Sequence, residues 1–269
     1  MNNPWLFRFS ILVTLAALFV ILMGAVVTDQ FASQPALAPS SPAFAIHRHA
    51  AETLGLLVLI VAIWATFGGS KQPSAKKWSW IAVVFAVAEA VLGGASVPLS
   101  QTMAFTHAFF GQAVFGAIVA TTILLSPDWG GERTPLTDKG WPSLRGLSRT
   151  TVILFVLQII LGAAFRHGLA GVLWHIMGAF LVVLFGVGVM VLLTQTPGGA
   201  PMRPAVITLG VLLGIQVTLG MILISISDQT KAPTLVLYST VLHVITGAAT
   251  FAVTILTTMA IWRNATAPQ

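Results

Sequence analysis

Stretches of about 20 apolar residues, the length that carries a helix across a hydrocarbon core of roughly 30 Å, recur eight times along this chain. No other feature narrows the fold so far. A transmembrane barrel would instead show alternating segments of about 10 residues. Composition agrees with helices in lipid. The chain is 57% hydrophobic and only 7% charged, whereas soluble domains carry roughly a quarter charged residues. The expected fold is all-α and polytopic. Its spans are Phe9–Thr28, Ile46–Phe67, Ser79–Pro98, Met103–Leu125, Thr150–Phe165, Val172–Thr194, Ala205–Ile226 and Leu235–Trp262. The first run is long and lacks a clear small-residue cleavage site, so it reads as a span rather than a cleaved signal.

A formal net charge of +6 does not point to nucleic acid here, because the positive residues sit in short loops between apolar runs. They report topology instead. Arg8, Lys71, Lys76, Lys77, Arg133, Lys139, Arg145, Arg149, Arg203 and Arg263 fall on one side. Only Arg48, Arg166 and Lys231 fall on the other. The lysine-rich side is expected to be cytoplasmic, which places both termini inside a bacterial plasma membrane. Trp78, Trp80 and Trp262 stand at span ends, as interfacial aromatics do. The chain has no cysteine, which excludes disulfides, iron–sulfur clusters and thiolate metal sites.

The polar stretch from Ser126 to Ser148 splits the chain into like halves. Residues 1–130 read as an amino-terminal four-helix bundle, 131–148 as a cytoplasmic linker, and 149–269 as a carboxy-terminal four-helix bundle, the two being pseudo-symmetric. Span three carries Glu89-Ala-Val-Leu-Gly93, span five Gln158-Ile-Ile-Leu-Gly162, span seven Gln216-Val-Thr-Leu-Gly220, and span one the weaker Val20-Ile-Leu-Met-Gly24. Each even span opens with a histidine: His47, His107, His175 and His243. The interval from His47 to His175 nearly equals that from His107 to His243.

Even spans run from outside to inside in this topology, so all four histidines lie at similar depth near the outer face. Two imidazoles from facing helices can hold a heme iron axially, one on each side of the ring. Neutral imidazole does so without burying charge in lipid. Arg48 and Arg166 are then the expected partners of the heme propionates. A histidine on an apolar helix is otherwise a hydrogen-bonded or interfacial residue; four at matching positions favour the heme reading. His49 reads as interfacial, His167 as a solvated loop histidine, and Glu52 as pointing away from His47. Glu89 has two equal readings. It is either a functional intramembrane carboxylate or an interhelical hydrogen bond of the kind that Gln158 and Gln216 make in its place. The small residues Gly93-Gly94, Gly162 and Gly220 are expected to allow close helix packing, though the approach of a flat ring would need the same.

The chain resembles the heme A synthase family over nearly its whole length. The resemblance rests on eight spans in two halves, a histidine in each even span, and His47-Arg48-x-x-Ala51 in span two. The Leu-Gly-Gly stretch before Ser96-Val97-Pro98 with His107 contributes, as does Gln158 to Gly162 with Arg166-His167 and His175. It implies an oxidoreductase that converts the C8 methyl of heme o to the formyl of heme a. It implies a substrate heme o near His47 and His107 and a heme b held by His175 and His243. One departure stands out. The family usually carries a glutamate three residues before the span-two histidine, where this chain has Phe44.

The expected catalytic set is His47, His107 and Glu89. The expected cofactor-binding set is His175, His243, Arg48 and Arg166, with the four histidines as iron ligands. Expected partners are heme o with the synthase that supplies it, an electron donor such as ferredoxin, and the lipid bilayer, with a homo-oligomer or larger membrane complex left open. The competing readings are a non-catalytic di-heme b electron-transfer protein or membrane subunit, and a transporter.

Overall fold

The computed structural model describes residues 3–94, 99–138, 141–226 and 232–266. Eight long helices account for most of them: α1 Pro4–Ser33, α2 Pro42–Trp64, α3 Pro73–Gly93, α4 Gln101–Leu125, α5 Leu144–Arg166, α6 Val172–Gln195, α7 Arg203–Ser225 and α8 Pro233–Asn264. Their starts are written locally. Asn3, Ser41, Ser100 and Ser143 each accept first-turn backbone N–H groups, and proline occupies the first turn of α1, α2 and α3, where its missing N–H costs nothing. The end of α2 runs into a wider turn at Ala65–Gly69, which Gly68 closes with a φ of 152° that glycine alone adopts without strain.

Among the described residues, seven helices are long and apolar enough to cross a membrane: all but α3. The expected count of eight differs here for a definite reason. The helix starts at Pro73, before the apolar run, and every 18-residue stretch of it takes in Lys76, Lys77 and Glu89. The far end of that expected span, Ser96-Val97-Pro98, lies outside the described residues, as do Lys139 and Lys231. Other helices also outrun their apolar cores. Arg145 and Arg149, expected in a loop, sit in the first two turns of α5, and Arg166 is its last residue.

The chain divides into two compact units, Met1–Gly130 with Leu219–Ala248, and Gly131–Thr218 with Ala249–Gln269. In the first unit α1 packs on α2, α2 on α3, α3 on α4, and α4 back on α1. Polar contacts help hold this ring where lipid offers no hydrophobic drive. The Thr14 and Thr122 hydroxyls lie 3.0 Å apart, and Thr122 also donates to the Ser10 carbonyl. Trp80 Nε1 donates to Thr66 Oγ1 at 3.0 Å.

In the second unit α5 packs on α6, and Phe155 stacks on Phe251 of α8. The segment expected to be a linker is built into this unit. Strand β1 (Leu136–Thr137) pairs in parallel with β2 (Ala265–Thr266). Leu136, Leu144, Val189, Leu193, Met202, Val206, Ile261 and Ala265 form one buried cluster. Asp138, buried beside it, accepts from Leu144 N at 3.0 Å and Arg145 N at 3.3 Å, while Ser143 Oγ takes Gly146 N. The orphan donors at the start of α5 are thereby satisfied by side chains rather than water. Arg145 donates to the Ala265 carbonyl and stands over the Trp262 ring, and Arg263 donates to the Gly131 carbonyl at 2.7 Å.

Candidate functional site

Four helix pairs share one local arrangement. The glycine that ends each x-x-x-x-Gly motif lies against the imidazole of a helix that follows. A Cβ placed on Gly24 would come within 3.2 Å of His47 Cε1, on Gly93 within 3.1 Å of His107 Cε1, on Gly162 within 2.8 Å of His175 Cε1, and on Gly220 within 3.4 Å of His243 Cε1. The glycines thus admit rings edge-on to a helix backbone. The close helix packing expected of these glycines is what they provide, with an imidazole of the next helix lying against the backbone at each.

In three of the pairs the residue one turn before the glycine meets the same ring. Val20 offers its carbonyl oxygen 3.2 Å from His47 Nδ1. Glu89 places Oε1 3.1 Å from His107 Nδ1, in ion-pair contact rather than an aligned hydrogen bond, and both side chains are mostly buried. Gln158 Nε2 lies 3.0 Å from His175 Nδ1 and donates to the His175 carbonyl, also at 3.0 Å. These partners are admitted by further glycines on the even helices. A Cβ on Gly111 would lie 3.2 Å from Glu89 Oε1, and one on Gly178 would lie 2.2 Å from Gln158 Oε1. The α3–α4 and α5–α6 contacts are therefore reciprocal: one glycine makes room for the histidine, the other for its partner. Sequence reasoning missed Val20, Gly111 and Gly178. The signal was present for the last two, a glycine one turn past the histidine in both α4 and α6.

In the first unit His47 and His107 come together, with ring centroids 6.2 Å apart and planes at 85°. A centre-to-centre spacing of this size suits two imidazoles on one iron. Imidazole–metal bonds of about 2 Å on both sides of one metal set the ring centres roughly 6 Å apart. Nδ1 of His47 faces the Val20 carbonyl and Nδ1 of His107 faces the Glu89 carboxylate, so a metal between the rings would be met through Nε2. Among the described residues no group of three or more His, Cys, Asp or Glu gathers to hold a bare metal ion. A heme iron asks the protein only for axial donors, because the macrocycle supplies the rest. His175 belongs to the second unit and His243 to the first, so each is described in its own surroundings.

The remaining residues occupy different places. Arg48 Nε pairs with Glu52 Oε1 at 3.1 Å, and His49 Nδ1 with Glu52 Oε2 at 3.1 Å, all three on the exposed side of α2. Glu52 points away from His47, as its spacing suggested. Arg166 closes α5, and His167 follows as its cap, its N–H donating to the Ala163 carbonyl ahead of Gly168 at φ 72°. Phe44, one turn before His47 and so on the same face, packs edge-on against Phe31 of α1 at 6.1 Å between ring centres.

Comparison with known proteins covers the same stretch. Residues 45–175 match the family described as "Cytochrome oxidase assembly protein". The heme A synthase of Alkalihalophilus pseudofirmus is 28% identical over 152 residues, 49% of this chain and 51% of that protein. The heme A synthase of an Exiguobacterium species is 27% identical over 176 residues, 59% of this chain and 57% of that protein. The chain thus spans little more than half the length of the curated relatives it matches. The family match begins two residues before His47 and ends on His175, so it contains the His47–His107 pair, Glu89 and Gln158.

Proposed function

Starting from an integral membrane protein akin to the heme A synthase family, we propose that this chain is an enzyme that oxidises the C8 methyl of heme o to the formyl of heme a. The observation that carries the reading is the His47–His107 pair, 6.2 Å apart, with each Nδ1 facing an acceptor and Nε2 left to meet iron. Heme o is the substrate of this site. The iron, when bound, supplies the oxygen chemistry. The protein's own share is to present two oriented imidazoles and to surround the ring with apolar side chains.

His175 and His243 are the proposed ligands of a heme b. Support comes from the glycine that each ring lies against, an arrangement common to all four histidines and in keeping with an internal repeat. Arg166 remains the proposed propionate partner there; Arg48 would have to leave Glu52 to serve the other heme. Loop charge supports cytoplasmic termini and histidines near the outer face. The partners proposed are the synthase that supplies heme o and an electron donor such as ferredoxin.

Phe44 favours a second reading. A phenyl ring neither gives nor takes a proton, so a chain with Phe44 beside His47 would also suit a di-heme b electron carrier. Extraction of hemes from cells that express the gene with a heme o source separates the two. Heme a should accumulate with the wild type and vanish with His47→Ala or His107→Ala. Accumulation of heme o alone, with hemes still bound to the purified protein, would replace the enzyme by the carrier.

A further inference from the structure

We infer that Glu89 is a positioning residue for His107, and that its carboxylate sets this imidazole apart electronically from His175. The inference rests on heme ligation by these histidines. Glu89 and Gln158 hold the same place, one turn before Gly93 and Gly162, and each lies within hydrogen-bond distance of an imidazole Nδ1, at 3.1 and 3.0 Å. Both are seated by a glycine on the opposing helix, Gly111 or Gly178. They differ in one atom and one charge, which makes the chain its own comparison.

A carboxylate is an acceptor only, whereas an amide is donor and acceptor. Facing Nδ1 of His107 with an acceptor-only group, Glu89 favours the tautomer with its proton on Nδ1, which leaves the Nε2 lone pair for iron. Gln158 instead turns a donor to the ring, its Nε2 lying 3.0 Å from His175 Nδ1, 3.4 Å from His175 Nε2 and 3.0 Å from the His175 carbonyl, so it does not favour a proton on Nδ1 as Glu89 does. Carboxylate partners of metal-bound histidine fix the tautomer and raise ligand basicity. A more basic axial ligand with a negative charge behind it favours the ferric over the ferrous state. Glu89 Oε2 is buried without a hydrogen-bond partner, and the contact of Oε1 with His107 accounts for a carboxylate at this depth. Glu89 also lies against Nδ1 of His107, whereas Phe44 packs on Phe31. It is a partner of the ligand, not a stand-in for the carboxylate missing beside His47.

The test is a potentiometric titration of the hemes in purified protein, followed by absorbance. Glu89→Gln copies the setting of Gln158, keeps an acceptor oxygen and removes the charge. One midpoint potential should move positive while the other stays. Gln158→Glu should do the converse and move the other midpoint negative. Glu89→Leu should weaken heme retention in the first unit roughly ten- to hundred-fold, the range for loss of such partners. Unmoved midpoints in both Glu89→Gln and Gln158→Glu, or unchanged heme retention in Glu89→Leu, would overturn the assignment. Failure of the underlying heme reading looks different: His107→Ala would then lose no heme.

Discussion

Replacing Gly162 by alanine tests whether these glycines exist to admit imidazoles. The added Cβ would stand 2.8 Å from His175 Cε1 and 3.1 Å from Nδ1, where ordinary contact begins at 3.4 Å. Either α5 and α6 separate locally by about half an ångström, or the ring turns away from Gln158, since close-packed interiors do not absorb such overlap freely. Overpacking of this kind costs about 1–3 kcal/mol. Alanine recovers about 0.5–1 kcal/mol over glycine in a helix interior, so the net change runs from about zero to a loss of roughly 2.5 kcal/mol. Gly220→Ala is the control, because its Cβ would meet His243 Cε1 at 3.4 Å. Only the helix term remains there, and that variant should gain stability. Gly24 and Gly93, with closest approaches of 3.2 and 3.1 Å, should fall between. Thermal unfolding of the four variants in one detergent, with heme content read on the same samples, gives the ranking. If Gly162→Ala is as stable as Gly220→Ala, the glycines serve something other than the rings.

Further outcomes follow from other sites. Asp138→Ala removes the acceptor of Leu144 N and Arg145 N and should cost about 1–2 kcal/mol; hydrogen exchange at those two amides should rise, and unchanged exchange would refute the capping role. Phe44→Glu restores a carboxylate on the His47 face and should raise the yield of heme a from heme o; an unchanged yield would mean that proton transfer there does not limit the reaction. Glu52→Ala frees Arg48 from its partner and should leave heme content unchanged or higher, whereas a loss of heme would show that the ion pair itself shapes the site. Reporter fusions after Lys77 and within Ser126–Ser148 should report cytoplasm, and fusions near Ser40 and Gly168 the outer side; the reverse would put the histidines at the cytoplasmic face.

The elements that the sequence made legible are those set by local pattern. Apolar runs marked all eight helices, and the cap residues Ser41, Ser100 and Ser143 explain why the helices start before the runs do. The histidines were legible because their positions recur. What each imidazole touches was not, since that depends on helix rotation and on contacts across different helices. Glu89 shows the difference. Its depth in a span was readable, yet only the α3–α4 packing brings it to His107. Arg48 shows it again: adjacency to His47 suggested a shared ligand, but one residue along a helix is a turn of about 100°, and Arg48 faces Glu52. The segment 131–138 was least legible, because the Leu136 pairing depends on residues far along the chain.

That pairing has a consequence for how the protein is made. The Leu136 carbonyl accepts from Thr266 Oγ1 across a separation of 130 residues, and Leu136 is fully buried. At ordinary rates of synthesis, about 5–20 residues per second, the segment around β1 waits on the order of ten seconds for its partner strand. Until then Leu136 lacks the cover of Ala265, and Arg145 lacks the carbonyl it binds. A chain stopped inside α8 would never provide either. The start of α5 is therefore sealed only once α8 and the two residues after it, Ala265 and Thr266, have been made.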